Sequence, residues 1–180
     1  MATKSKTSKT KTATATTADE NIESKTQQII PKDVDLNQYI PVKNGFHGVL
    51  VYRSSKTGEL FEWDAFGSEQ EMELRELKSA KNSAKAFFIN NWFMFDDEYA
   101  WVIDYLGLRQ YYKHFLSVDN FDDIFKKTPA QLKAAIAELS AGQKSSLMYR
   151  VFELISEGKL DSIKQINALE EALGIELIEK

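Results

Sequence analysis

The sequence contains no cysteine, which excludes a disulfide framework, a thiolate metal site and a thiol nucleophile. It has two histidines, His47 and His114. Histidine is the usual acid–base and metal-binding side chain near neutral pH, and neither lies three or four residues from a carboxylate or a second histidine in a helical context. Neither is expected to be catalytic or ligating. Glycine and proline are scarce, eight and three residues. No Gly-x-x-x-x-Gly-Lys loop, Gly-x-Gly-x-x-Gly turn or Gly-x-Ser-x-Gly elbow occurs, and Ser156 with Lys159 matches Ser-x-x-Lys only across a helix end. No apolar run approaches the ~18 residues of a membrane helix, because Asn90, Asn91, Asp96 and Asp97 interrupt the best candidate. The first lysines are followed by no apolar segment of a secretory signal. The chain therefore reads as soluble, with no cofactor, no metal and no membrane partner, and as a non-enzyme.

What it has instead is aromatic surface and unevenly placed charge. Residues 86–107, AFFINNWFMFDDEYAWVIDYLG, hold eight of the 21 aromatic residues, and aromatics bury more area than any other side chains. This stretch is expected to be the centre of the core. Residues 1–12 carry Lys4, Lys6, Lys9 and Lys11 and no acid, which leaves the rest of the chain at −8, with 19 basic against 27 acidic residues. An acidic body repels a phosphate backbone on average; the lysine cluster suits contact with nucleic acid or with an acidic protein surface, or a solubilising tail.

Three units follow from the patterning. Residues 1–30 are Thr, Lys, Ser and Ala with almost nothing to bury, which predicts a disordered tail. Residues 31–127 form the second unit, opened by an extended lead-in from Pro31 to Pro41. In Gly48–Phe66 two alternating runs flank SSKTG, which predicts a β-hairpin with Tyr52, Phe61 and Trp63 on one face and Gly58 closing the turn. The hairpin resembles a WW module, but it has no tryptophan ahead of the first strand and no proline after the last, so no proline-peptide groove is expected. From Gly67 the pattern turns helical, with Leu74, Leu77, Ala80, Ala84, Phe87 and Phe88 inward and Arg75, Lys78, Lys81 and Lys85 on a solvated face. Asn90–Asn91 breaks this helix. Asp96 or Asp97 caps the next, which turns Tyr99, Val102, Ile103 and Leu106 inward and stops at Gly107. Short helices are expected in residues 108–125.

The third unit, residues 128–180, predicts a bundle of three helices. Thr128-Pro129 starts the first, burying Leu132, Ala135, Ile136 and Leu139. Ser140 and Gln143 form a capping box for the second, which buries Leu147, Val151, Leu154 and Ile155. Asp161 or Ser162 caps the third, with Ile163, Ile166, Leu169 and Leu173 inward. The fold class is α+β, mainly α: a β-hairpin packed on a multi-helix domain, a C-terminal helical bundle and a disordered N-terminal tail.

The acidic clusters Asp96-Asp97-Glu98 and Asp119, Asp122 and Asp123 read as caps and solvated turns, since the second lacks the glycine and distal glutamate of a calcium loop. The last helix pair permits a helix-turn-helix with Lys164, Gln165 and Asn167 at a groove, but residues 128–180 are net acidic, where a DNA reader presents a basic face.

The stretches YRSSKTGELFEWDAFG, FFINNWF and EGKLDSIKQINALEEALG together resemble small, mostly uncharacterised proteins of tailed bacteriophages, over residues 40–178. No catalytic or ligand residue comes with the resemblance. It implies a virion component or assembly factor, in the host cytoplasm or the particle, whose partners are other protein subunits, including copies of itself. The expected contact surface is Trp101 and Tyr105 with Tyr112, because the 97–106 helix carries more aromatics than one face can bury. The alternative is a nucleic-acid-binding regulator using the lysine tail and the C-terminal helix pair.

Overall fold

The computed structural model describes residues 30–177. The fold is mixed α and β with helix in excess of strand. Its first sheet is built on β1 (Tyr39–Asn44), which pairs antiparallel with β4 (Glu69–Glu73) on one side and with the short β5 (Phe93–Met94) on the other. Pro41 can sit within this central strand because β5 reaches only Lys43 and Asn44, so the edge beside Pro41 has no ladder to complete.

The second sheet is the expected hairpin, β2 (Leu50–Arg53) and β3 (Leu60–Trp63), with Leu50 opposite Trp63 and Tyr52 opposite Phe61. Its alternation buries Tyr52, Phe61 and Trp63. Gly58, at φ +75°, makes the turn, and its N–H donates to the Ser54 carbonyl.

Two expectations for this half are corrected. The lead-in is not merely extended, since from Tyr39 it is a strand. The helix does not begin at Gly67, because residues 69–73 are β4 and α1 spans Leu74–Ser83. EQEME is made of good helix formers, but Met72 is fully buried opposite Ile40, and pairing with a distant strand overrides local preference. After α1, the short α2 (Ala86–Ile89) ends at Asn90, and Asn91 turns the chain with φ +54°. A 3₁₀ turn at Asp97–Tyr99 leads into α3 (Trp101–Tyr105). Asp96 does not cap this turn with its side chain; its carboxylate accepts from Lys43 Nζ at 2.6 Å.

The helices α4 (Pro129–Glu138), α5 (Ala141–Ser156) and α6 (Ile163–Leu173) follow. Thr128 and Gln131 close a full capping box on α4. Ser140 accepts from the Gln143 N–H, but the Gln143 side chain does not return to it; it goes to Leu116 instead. Ile163 is 59% exposed, not inward, because it opens α6 ahead of the turn that presents Ile166 and Leu169 to the interior. Ser162 stands at the cap position without a side-chain bond.

Buried side chains fall into two clusters. One runs from Ile40 to Tyr112 through both sheets and the aromatic stretch; the other runs from Phe121 to Leu169. The 3₁₀ segment Phe121–Lys126, read with the first unit in the sequence, lends Phe121 and Ile124 to the second cluster. Among the described residues no helix is long and apolar enough to cross a membrane.

Candidate functional site

Between the two clusters lies a seam of polar contacts, and the seam opens into a groove of about 1050 Å³. Asn44 shapes its first wall. Fully buried at the end of β1, Asn44 donates from Nδ2 to the carbonyls of Gly48 (2.8 Å) and Ala65 (3.0 Å) and accepts on Oδ1 from the Phe46 N–H (2.8 Å). One amide thus holds together the loop carrying His47 and the segment carrying Phe66. Gln143 shapes the opposite wall in the same way, accepting from the Leu116 N–H (2.9 Å) and donating to its carbonyl (2.7 Å). This pins the segment leading to Val118, Asp119 and Phe121. The third wall is α5, which Ser146 fixes by donating to the Gly45 carbonyl at 3.0 Å.

The floor is aromatic. His47 stacks on Phe66 at 4.3 Å and lies 5.3 Å from Phe121, and Phe66 meets Phe121 edge-on at 4.8 Å. Above it, Tyr149 and Phe152 of α5 stand 52% and 44% exposed, with Tyr149 edge-on to Phe46 at 6.1 Å. Four carboxylates, Asp64, Asp119, Asp122 and Glu153, surround the groove with one guanidinium, Arg150. Arg150 donates to Asp122 from Nε and Nη2, at 3.0 and 2.6 Å, and to Glu153 from Nη1 at 2.6 Å. That grip raises the Arg150 pKa further and holds the Asp122 carboxyl below the usual carboxylate range. Asp64 and Asp119 make no ion pair among the described residues. The groove is therefore apolar below and negative at the rim.

His47 is the imidazole of the groove. Burial holds its imidazole below the ordinary value, Arg150 adds to the effect, and Glu153 and Asp122 oppose it. Its Nε2 is buried and has no hydrogen-bond partner among the described residues. A depressed histidine pKa means that the unfolded chain binds the proton more readily, so stability is complete above the unfolded value near 6.5 and falls as pH drops through the lower folded value. Thermal melting is expected to decline as pH drops below about 6.5, and His47→Phe is expected to flatten that segment. The Asp122–Arg150 pair is lost in a separate, more acidic window, below the usual carboxylate pKa, and His47→Phe leaves that loss in place. An unchanged slope in the variant would remove His47 from the account.

The residues expected at a contact surface lie elsewhere. Trp101 and Tyr112 are 8% and 7% exposed, members of the first cluster, and Tyr105 is partly buried against it. Tyr112 donates to the Phe93 carbonyl at 2.6 Å, and burial pushes its phenol up. Trp101 and Tyr112 thus lack the exposure on which that surface was argued: Trp101 packs edge-on to Tyr105, and both rest on the first cluster. Lys4, Lys6, Lys9 and Lys11 lie outside the described residues. In the C-terminal pair, Gln165 donates to the Phe125 carbonyl at 2.8 Å and so braces the fold, while Lys164 and Asn167 are exposed. Ser156 donates to the Glu153 carbonyl and Lys159 pairs with Glu157, so the Ser-x-x-Lys pattern assembles no pair. Among the described residues no group of three or more His, Asp or Glu is placed to hold a metal ion.

One signal in the sequence, not drawn on above, marks part of the groove. The inward stripe of α5 passes through Leu147, Val151 and Leu154, and that register leaves Tyr149 and Phe152 outside it.

Compared with known protein families, curated proteins and solved structures, the chain matches none.

Proposed function

We propose that this protein is a non-enzymatic structural or assembly protein that acts through protein–protein contacts, and that the groove beside α5 is its contact surface. The observation that supports this is the pair Tyr149 and Phe152, two large apolar side chains held exposed on a rigid helix over an aromatic floor. Aromatics in that setting are the usual anchors of an interface. The tailed-phage context rests on the resemblance of the three sequence stretches; in that context the protein belongs to the host cytoplasm or the virion, and its partners are other subunits. The nucleic-acid reading would need the lysine tail, and Gln165 of the C-terminal pair is already committed to backbone carbonyls.

The test is retention. Expressed together with its native neighbours, the wild-type chain is expected to stay with assembled complexes through gradient separation. Tyr149→Ser/Phe152→Ser is expected to move to the free pool with at least a tenfold loss of affinity, on the scale of one or two anchors at ~1–2 kcal/mol each. Because both side chains are already exposed, melting should shift by no more than a few degrees. Equal retention of the variant, or retention on duplex DNA that falls steeply with salt, would refute the reading.

A further inference from the structure

The acidic rim of the groove has its complement on the same chain. Between Leu74 and Phe95 the charged residues are Arg75, Glu76, Lys78, Lys81 and Lys85. The single acid among them, Glu76, is buried and accepts from Tyr52 Oη at 2.5 Å. The outward side of α1 and α2 is therefore cationic, although the chain beyond its first 12 residues is net acidic. Arg75 pairs with Glu73, and Lys85 lies over the Tyr111 ring at 5.4 Å; Arg75, Lys78 and Lys85 are exposed. One turn beyond Lys85 the same surface carries an apolar side chain. Ile89, 39% exposed, donates its N–H to the Lys85 carbonyl, so the two residues stand one above the other.

We infer that the groove receives the α1–α2 face of a second copy of this chain, with Lys78 and Lys85 against Asp64 and Asp119 and Ile89 over Tyr149 and Phe152. This rests on the reading of the groove as a protein-contact surface. The charges match in sign, four carboxylates against one guanidinium facing four cations, and each side brings apolar surface. The two faces are different patches of the molecule, so the contact is heterologous. Such a contact leaves a free groove at one end and a free basic face at the other, and it propagates into a ring or a filament. That is a geometry suited to an assembly component. A basic face that meets its own acidic groove is also withdrawn from phosphate.

Sedimentation velocity on the purified full-length chain tests this. At about 50 mM salt the wild type is expected to associate with rising concentration, and at about 500 mM, where the screening length has shrunk about threefold, the association should weaken tenfold or more. Lys78→Glu/Lys85→Glu and Asp64→Lys/Asp119→Lys should each be monomeric. All four positions are exposed surface, so circular dichroism should show both variants folded. Mixed together, the two variants should associate again, because each then offers the other a complementary pair of faces.

A chain that stays monomeric at low salt, or variants that associate like the wild type, would overturn the inference. So would loss of association both on deleting residues 1–12 and in Asp64→Lys/Asp119→Lys, with Lys78→Glu/Lys85→Glu unaffected, which would make the lysine tail the occupant. Loss of salt-sensitive binding to a short DNA duplex in Lys78→Glu/Lys85→Glu, with sedimentation unchanged, would make the face a nucleic-acid surface and overturn it equally. If the chain is monomeric but Tyr149→Ser/Phe152→Ser still leaves its complexes, only the second copy as occupant falls; if that variant is retained, the contact surface itself falls.

Discussion

Gly142→Ala is expected to destabilise the protein by about 3 kcal/mol, although alanine is the better helix former by up to ~1 kcal/mol. Gly142 lies in the first turn of α5 and is buried where that helix crosses the end of α2. A methyl group there would stand 2.4 Å from the Asn90 Cβ, 2.4 Å from the Asn90 carbonyl oxygen and 2.7 Å from Trp92 Nε1. Two of these three atoms belong to Asn90, one of them backbone, so no rotamer change relieves the overlap. Ser140 Oγ also donates to the Asn90 carbonyl at 3.2 Å, which ties the same point from the other side. The helix must move, and Ser146 and Gln143 move with it. For a chain of this size the melting temperature should fall by about 10 °C, and amide protection should drop at the start of α5 and in residues 116–118. Ala141→Gly, one position away on the exposed side, is the control: it removes helix propensity without touching the seam and should cost ~1 kcal/mol or less. A Gly142→Ala variant that melts at or above the wild-type temperature would show that the seam is not packed as described.

Trp63→Ala should be at least as severe, about 4–5 kcal/mol. The ring is 1% exposed, lies 5.4 Å from Phe93, stacks on Phe61 at 6.5 Å and donates from Nε1 to the Val42 carbonyl at 2.8 Å. Truncation leaves a cavity between the hairpin and the first sheet and removes the indole's bond to the Val42 carbonyl, a loss of ~1 kcal/mol. Against a typical total of about 5–15 kcal/mol, this brings the first cluster close to unfolding. Trp63→Phe separates the two contributions by keeping much of the packing and losing only the donor. Denaturant midpoints for the three proteins should fall in the order wild type, Trp63→Phe, Trp63→Ala; two coincident variants would mean that the hydrogen bond carries the whole effect.

The elements whose determinants are local were legible in the sequence. The hairpin shows strict alternation around a glycine turn, and α4 shows a Thr-Pro start with Gln131 in place. What was missed depends on distant partners. β1 contains a proline and β4 is spelled in helix formers, so neither declares itself until the other is placed beside it some 30 residues away in sequence. Counting aromatics on α3 sent Trp101 to the surface because it assumed one covered face, whereas both Trp101 and Ile103 are buried. The groove was hidden for a third reason. Its walls come from His47, from Asp64–Phe66, from Val118–Asp122 and from α5, and no periodicity links stretches so far apart. Asn44 and Gln143, which hold those walls, are single buried amides with no sequence pattern to mark them.

The claim that the groove is where this protein meets its partners is tested most directly by hydroxyl-radical footprinting of the free chain and of the complex recovered with it. Tyr149 and Phe152 should lose most of their reactivity on assembly, with Ile163 and Val51, comparably exposed but outside the groove lining, unchanged in the same sample. Undiminished oxidation of Tyr149 and Phe152 in a complex that protects other side chains would contradict it.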